Sequence, residues 1–107
     1  MITDRDRKLT EHIFIAIKQI ENFVHEKTQE EFEKDDMLSS AVIKKFEIIG
    51  EASARLSDEF KQTHEDVPWK EIIGMRNILI HDYFGTDLGG VWNSVKEDLP
   101  KLRDRLK

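Results

Sequence analysis

Arginine, histidine and tyrosine side chains stand close together in one short stretch of the chain, at Arg76, His81 and Tyr83. A neutral imidazole can take a proton from a ribose 2′-hydroxyl, and an imidazolium can give one to a leaving 5′-oxygen. A guanidinium can stabilise the charge that builds on the phosphorane oxygens. Together these groups can cleave RNA without a metal ion, by in-line attack of the 2′-oxygen that leaves a 2′,3′-cyclic phosphate. DNA would be spared, because deoxyribose has no 2′-hydroxyl.

The spacing of arginine and histidine is not specific by itself. Arg7 and His12 have the same separation, but no tyrosine follows two positions later, and we interpret that pair as solvated surface. The later residues also have an ordinary interpretation. His81 would then satisfy carbonyl groups at a helix end, Arg76 would form an ion pair, and Tyr83 would pack half-buried.

Helix geometry separates the three side chains. Each residue of a regular helix turns by about 100°, so that Arg76 and Tyr83 lie about 20° apart, whereas His81 lies roughly 140° from Arg76. One straight helix therefore does not direct both catalytic groups at one phosphate. Either the helix loosens before Gly85, or two chains share the site. We favour a symmetric homodimer in which both copies of Arg76 and His81 line one cleft.

The elements that must position this stretch are helices, since the apolar residues recur at spacings of three and four. A first helix is predicted over residues 4–26 and a long one over 37–60, capped by Asp35 and Asp36. Thr28 and Glu31 form a capping box that starts a short helical turn between them. The apolar stripes of the two long helices are Leu9, Ile13, Ile17, Ile20 and Val24, and Leu38, Val42, Phe46, Ile49, Ala52, Leu56 and Phe60.

Two further helices follow. Pro68 fits the first turn of a helix that runs to about Phe84, with Gly85 as its C′ residue. Asp87 can cap the last helix, which Pro100 is expected to kink. Four long helices joined by short connections predict an all-α fold, an antiparallel four-helix bundle with a short extra helical turn, as a single domain over residues 1–107. Gly50, inside the second long helix, predicts a close approach of two helices there, with a ligand contact as the alternative.

Composition excludes several classes of protein. The chain has 107 residues, a net charge of -5, no cysteine and 36% charged residues. Disulfides and thiolate metal sites are thereby excluded, and no apolar run is long enough to span a membrane. An acidic protein does not coat nucleic acid by bulk electrostatics, although a few arginines can still hold a phosphate. The polar first residues do not form a signal peptide, so a cytoplasmic location is expected.

No other chemistry is indicated. The four histidines have no metal-ligand spacing with one another, and we find no phosphate-binding glycine loop and no nucleophilic serine constellation. We therefore expect neither a metal nor a cofactor. Trp69 and Trp92 are interpreted as core or interface anchors rather than as platforms for stacked bases.

The sequence resembles the HEPN superfamily, and within it the HepT-like toxins, over nearly the whole chain. The segments that carry the resemblance are AVI at 41–43, IIGEA at 48–52, VPWKEIIGMRN at 67–77 and, most strongly, LIHDYFG at 79–85, followed by VW at 91–92 and DLP at 98–100. The Arg-x4-His-x-Tyr element is specific in this setting.

The resemblance implies an all-helical bundle that dimerises around the motif, and a metal-independent endoribonuclease with Arg76 and His81 as its catalytic pair. Asn77 matches a polar residue that relatives often carry after the arginine. Asp82 stands where relatives often have glycine. A carboxylate there is expected to favour the protonated imidazole or to repel RNA, which bears on the level of activity more than on its type.

The resemblance also implies a partner, a minimal nucleotidyltransferase antitoxin of the MntA type. That enzyme would transfer AMP from ATP to Tyr83, placing a bulky anionic group over Arg76 and blocking RNA. Two other interpretations stay open from the sequence. The chain could be a non-catalytic helical module that binds a nucleotidyltransferase or its nucleotide, or a plain dimeric scaffold.

Overall fold

The fold is all-α. In a computed structural model, which describes residues 2–81 and 87–107 and the side chains of all of these except 76–81, no strand occurs. The helices are α1 (Asp4–Phe23), α2 (Gln29–Lys34), α3 (Asp36–Arg55), α4 (Asp58–Thr63), α5 (Trp69–His81), α6 (Leu88–Asn93) and α7 (Leu99–Leu106), with a π-helical segment (Ser94–Asp98) between the last two. This confirms the predicted fold class. The antiparallel order of a four-helix bundle stays a prediction.

The helix starts follow from local capping. Thr3 accepts a hydrogen bond from the Asp6 backbone N–H, and Asp35 accepts one from that of Leu38. At α2 the predicted capping box is present in both directions, because the Thr28 N–H donates to Glu31 Oε1 at 3.0 Å and the Glu31 N–H donates to Thr28 Oγ1 at 3.1 Å. Such caps satisfy N–H groups that have no partner within the helix.

The predicted stripes form the core. α3 packs against both α1 and α5, and α7 packs against α1. Gly50 is buried within α3, in the setting where close helix approach was expected. Every residue of the α1 stripe is buried, as are the α3 residues from Val42 to Ala52 that were assigned to the core and, in the last helix, Val95, Leu99, Leu102 and Leu106.

Two predicted helix ends are wrong. The first helix ends at Phe23 rather than at residue 26, and Glu26 adopts a positive φ of 59° in the turn that follows. The prediction of one helix over 37–60 is also wrong, because α3 ends at Arg55 and Leu56 is extended. Ser57 then caps α4 through its side chain. The backbone N–H of Ser57 donates to Asp6 Oδ1 at 2.9 Å, a bond that draws it out of the helical pattern.

The last helix passes Pro100 through the π-helical segment. The Leu99 N–H donates to the carbonyl of Ser94, five residues back, immediately before the proline. Proline has no N–H to donate and its ring crowds the preceding turn. A wider turn at this point relieves that conflict. Pro100 was expected to kink the helix, and the structure shows a local π turn immediately before it.

Candidate functional site

The candidate site lies on α5. The N-terminal half of this helix is anchored by Trp69. The indole N–H of Trp69 donates to the carbonyl of His64 at 3.0 Å. The Trp69 and Phe60 rings form an edge-on contact at a centroid distance of 6.2 Å, and the His64 ring stacks on Phe60 at 4.3 Å. Trp69 is buried, so its interpretation as an anchor is confirmed. The start of α5 is thus fixed to α4 by aromatic packing.

Farther along α5, one face is packed and another is open. Ile72 and Met75 pack against the core. Together with Leu99 and Leu102 of α7, they also line a cavity of about 420 Å³. Because the cavity separates α5 from α7, the position of α5 depends mainly on its packing against α3.

Three of the five predicted site residues lie in the second half of this helix. The backbone at positions 76–81 is α-helical, which places Arg76, Asn77 and His81 on α5. Their side chains lie outside the described residues, as do Asp82 and Tyr83 altogether. The assignment of catalytic, supporting and acceptor roles to these five residues therefore stays a prediction.

Asp87 caps α6 as predicted: its carboxylate accepts a hydrogen bond from the Gly90 N–H at 3.0 Å. Trp92 then packs on the buried ring of Phe32, with a centroid distance of 5.4 Å. The ammonium of Lys96 lies 4.7 Å from the centroid of the Trp92 ring. The segment that leaves the candidate site is therefore tied to α2.

The alternative arginine–histidine pair is surface, as predicted. Arg7 is 66% exposed and forms an ion pair with Asp4 of the same helix at 3.3 Å, while His12 is exposed. This pair has the same spacing as Arg76 and His81 but no element around it that would shape a cleft. It therefore offers a matched control.

The remaining polar clusters have structural explanations. Among the described residues, no group of three or more histidine, cysteine, aspartate or glutamate side chains could hold a metal ion. No helix in that part of the chain is long and apolar enough to cross a membrane. Two basic residues in the last turn of α7 form contacts within the fold, because Arg103 pairs with Glu21 of α1 and Arg105 donates to the carbonyl of Asp66 at 2.9 Å.

Two residues of α5 that lie outside its packed face, Lys70 and Gly74, were assigned no role from the sequence. Lys70 is exposed and Gly74 is partly exposed. Both belong to segment 67–77, which carries part of the family resemblance, but neither has a side chain that suggests acid–base chemistry. The signal that could have singled them out is their cost to the helix, since a cation in the first turn and a mid-helix glycine both weaken it.

Comparison with known proteins connects this helix to a family. Residues 13–107 match the model of the family described as ribonuclease HepT-like. The chain is 44% identical over 97 residues to a protein of Thermococcus cleftensis named "Probable ribonuclease HepT", covering 91% of this chain and 88% of that one. It is 40% identical over 101 residues to a "Putative RNase" of Caldanaerobacter subterraneus, covering 94% and 90%.

A third relative is larger. The chain is 45% identical over 95 residues to a protein of Methanocaldococcus jannaschii named as a gamma-glutamylcyclotransferase and putative RNase, and the match covers 89% of this chain but only 43% of that one. No solved structure gives a significant match. The family match and the names of these relatives support a ribonuclease, and the chain belongs to the HepT-like ribonuclease family of the HEPN superfamily.

Proposed function

We propose that this ribonuclease is a metal-independent endoribonuclease whose active site is shared by two copies of the chain. The observation that carries the proposal is the helical backbone of α5 through His81. Five helical positions separate Arg76 from His81, which corresponds to about 140° around the axis and about 7.5 Å along it. A single α5 therefore presents the two groups in different directions, and a second copy supplies the missing one.

The chemistry follows from the roles of the two side chains. One His81 in its neutral form takes the proton of the ribose 2′-hydroxyl as the 2′-oxygen attacks phosphorus. The P–O5′ bond breaks, and the second His81 in its protonated form gives its proton to the leaving 5′-oxygen. Arg76 stabilises the negative charge of the phosphorane through charge-assisted hydrogen bonds. The products are a 2′,3′-cyclic phosphate and a 5′-hydroxyl, with no net consumption of protons.

The chain would be the toxin of a toxin–antitoxin pair, and a minimal nucleotidyltransferase of the MntA type would be its antitoxin. In the neutralising step the Tyr83 oxygen attacks the α-phosphorus of ATP, forming an AMP–tyrosine phosphodiester and releasing pyrophosphate. Tyr83 lies about 20° from Arg76 on a continued helix. The added anionic group would cover the arginine and repel RNA phosphate.

The deciding experiment uses the surface pair as its control. Wild type, Arg76→Ala, His81→Ala, Arg7→Ala and His12→Ala are incubated with end-labelled RNA in excess chelator. We expect the first two variants to lose at least about 100-fold in cleavage rate, since each removes a transition-state contact or a proton-transfer group. Arg7→Ala and His12→Ala should cleave like wild type. Equal cleavage by all five proteins would refute the assignment of the site.

A second readout separates a nuclease from a binding module. Expression without a partner should arrest growth for wild type but not for Arg76→Ala or His81→Ala. The non-catalytic module would be favoured instead by three results together. Wild type would leave RNA intact, its expression would be harmless, and both variants would bind a nucleotidyltransferase as wild type does.

A further inference from the structure

Gly74 differs from the glycines that have a structural reason within the chain. A Cβ atom added at Gly90 would lie 2.8 Å from Oδ2 of Asp87, the carboxylate that caps α6. A Cβ atom added at Gly74 would meet no described atom within 4 Å. Gly74 nevertheless lies in the interior of α5, where glycine weakens a helix relative to alanine. The described part of the chain gives no reason for the absence of a side chain at this position.

Lys70 presents a similar case one turn earlier. It is the second residue of α5 and is exposed. A cation in the first turn interacts unfavourably with the positive end of the helix dipole. Among the described residues no carboxylate pairs with Lys70 to offset this. Its position is therefore not explained by the stability of the helix either.

Lys70 and Gly74 lie on the same face of α5. Four positions correspond to 400°, so the two residues are about 40° apart around the axis, on the side opposite Ile72 and Met75. The same stripe continues through positions 77 and 81, and position 81 lies about 16 Å from Lys70 along the axis. Two residues that weaken the helix, the exposed Lys70 and the partly exposed Gly74, thus share one stripe of α5 with positions 77 and 81. Such a loss of stability is typical of positions that serve function.

We propose that this stripe guides a single-stranded RNA substrate into the site. The strand backbone would pass over Gly74, where the missing side chain permits close approach, and Lys70 would bind a phosphate a few nucleotides from the cleaved bond. An exposed cation that has no carboxylate partner among the described residues suits a phosphate better than a contact between two symmetric helices, where the two copies of Lys70 would repel each other. The inference rests on the proposed nuclease function and adds a substrate-binding region to it.

The test separates stability from substrate binding. Gly74→Ala should raise Tm by roughly 4–8 °C, because alanine favours the helix. The same variant should raise KM for a long RNA at least threefold, with little change in kcat. Lys70→Gln should also raise KM at least threefold, and it should reduce the salt dependence of binding by about 0.7 in the log–log slope. The increases in KM of both variants should disappear when the substrate is a dinucleotide, which is too short to reach either position.

Controls and an independent readout complete the design. Lys18→Gln, the same change at an exposed lysine of α1, and Gly89→Ala, where the added Cβ has an ordinary contact distance of 3.4 Å, should leave KM unchanged. Binding of a fluorescent 2′-O-methyl RNA, followed by anisotropy, should show the same ranking of variants without any cleavage.

Three results would overturn or redirect the inference. If Gly74→Ala and Lys70→Gln both have the KM and the RNA-binding anisotropy of wild type, RNA does not bind along this stripe, and the nuclease proposal stays intact. Conversion of Gly74→Ala to a monomer in sedimentation, with loss of dinucleotide cleavage, would make this face a subunit interface instead. If wild type does not cleave RNA, the proposed function fails, and the anisotropy ranking alone decides whether RNA binds along the stripe.

Discussion

Asp6 and Ser57, which are far apart in sequence, are joined by two hydrogen bonds. The backbone N–H of Ser57 donates to Asp6 Oδ1 at 2.9 Å and its hydroxyl donates to Asp6 Oδ2 at 2.7 Å. Asp6 is only 1% exposed although it lies in the first turn of α1. A buried carboxylate with both oxygens satisfied holds the start of α1 against the junction of α3 and α4.

Asp6→Ala should therefore destabilise the fold. The substitution leaves the Ser57 N–H without its acceptor and removes two charge-assisted hydrogen bonds, for a loss of about 2–3 kcal/mol. Urea denaturation followed by circular dichroism measures this change. Asp4→Ala is the control, because Asp4 is 89% exposed at its side chain and its ion pair with Arg7 contributes less than about 1 kcal/mol. An equal loss in both variants would contradict the role given to the buried carboxylate.

The same contact makes stability depend on acid pH. Burial alone would raise the pKa of Asp6, but hydrogen bonds from Ser57 and Thr3 outweigh it, and the pKa lies below its usual value. As the pH falls, the Asp6 carboxylate is therefore protonated in the unfolded chain, near its usual pKa of about 3.9, before it is protonated in the folded protein. The stabilisation by Asp6 is fully present above that pH and is lost as the pH falls through the lower folded-state value. Denaturation at pH 6, 4 and 3 should show a steeper loss for wild type than for Asp6→Asn.

Phe32 should contribute far more to stability than the cation beside its aromatic partner. Phe32 is fully buried beneath Trp92, so Phe32→Ala should cost about 3–5 kcal/mol. The ammonium of Lys96 lies over the Trp92 ring, and Lys96→Ala should cost less than about 1 kcal/mol. Thermal denaturation of both variants provides the comparison. Similar costs would contradict the conclusion that the buried ring of Phe32, rather than the cation beside Trp92, dominates the stability of this cluster.

The helix starts could be predicted from the sequence because the groups that form them are local. Thr28 and Glu31, three positions apart, satisfy each other's backbone N–H, and the spacing alone reveals them. The break at Ser57 could not be predicted in the same way. The apolar stripe continues in phase through Leu56 and Phe60, and the residue that captures the Ser57 N–H is 51 positions away.

The candidate site was predictable in its residue types but not in its support. The spacing of Arg76 and His81 and the resemblance to a family identify the stretch. The anchoring of α5 by Trp69 on His64 depends on the tertiary fold, and the open space at Gly74 appears only once the neighbouring helices are in place.

The proposed chemistry predicts a dependence on the ribose 2′-hydroxyl and none on metal. An RNA with a single cleavable linkage should be cut equally well with or without excess chelator, because no metal ion takes part in the proposed steps. Replacing the 2′-hydroxyl at that linkage by 2′-O-methyl should abolish cleavage, since the nucleophile is absent. Mass spectrometry should find a 2′,3′-cyclic phosphate on the upstream product. Loss of activity in chelator that returns with magnesium would contradict the mechanism.

A shared site predicts complementation between two inactive variants. In Arg76→Ala the His81 residues remain, and in His81→Ala the Arg76 residues remain. Mixing the two under conditions that allow subunit exchange should form heterodimers with one arginine and one histidine in the common cleft. Cleavage of labelled RNA should then rise above that of either variant alone but stay well below that of wild type, because the one remaining His81 can take the 2′-hydroxyl proton while water must protonate the leaving 5′-oxygen. If one chain held a complete site, no chain in the mixture would carry both residues and activity would stay at the level of the separate variants. The double variant Arg76→Ala/His81→Ala mixed with either single variant is the control, because neither mixture contains both groups.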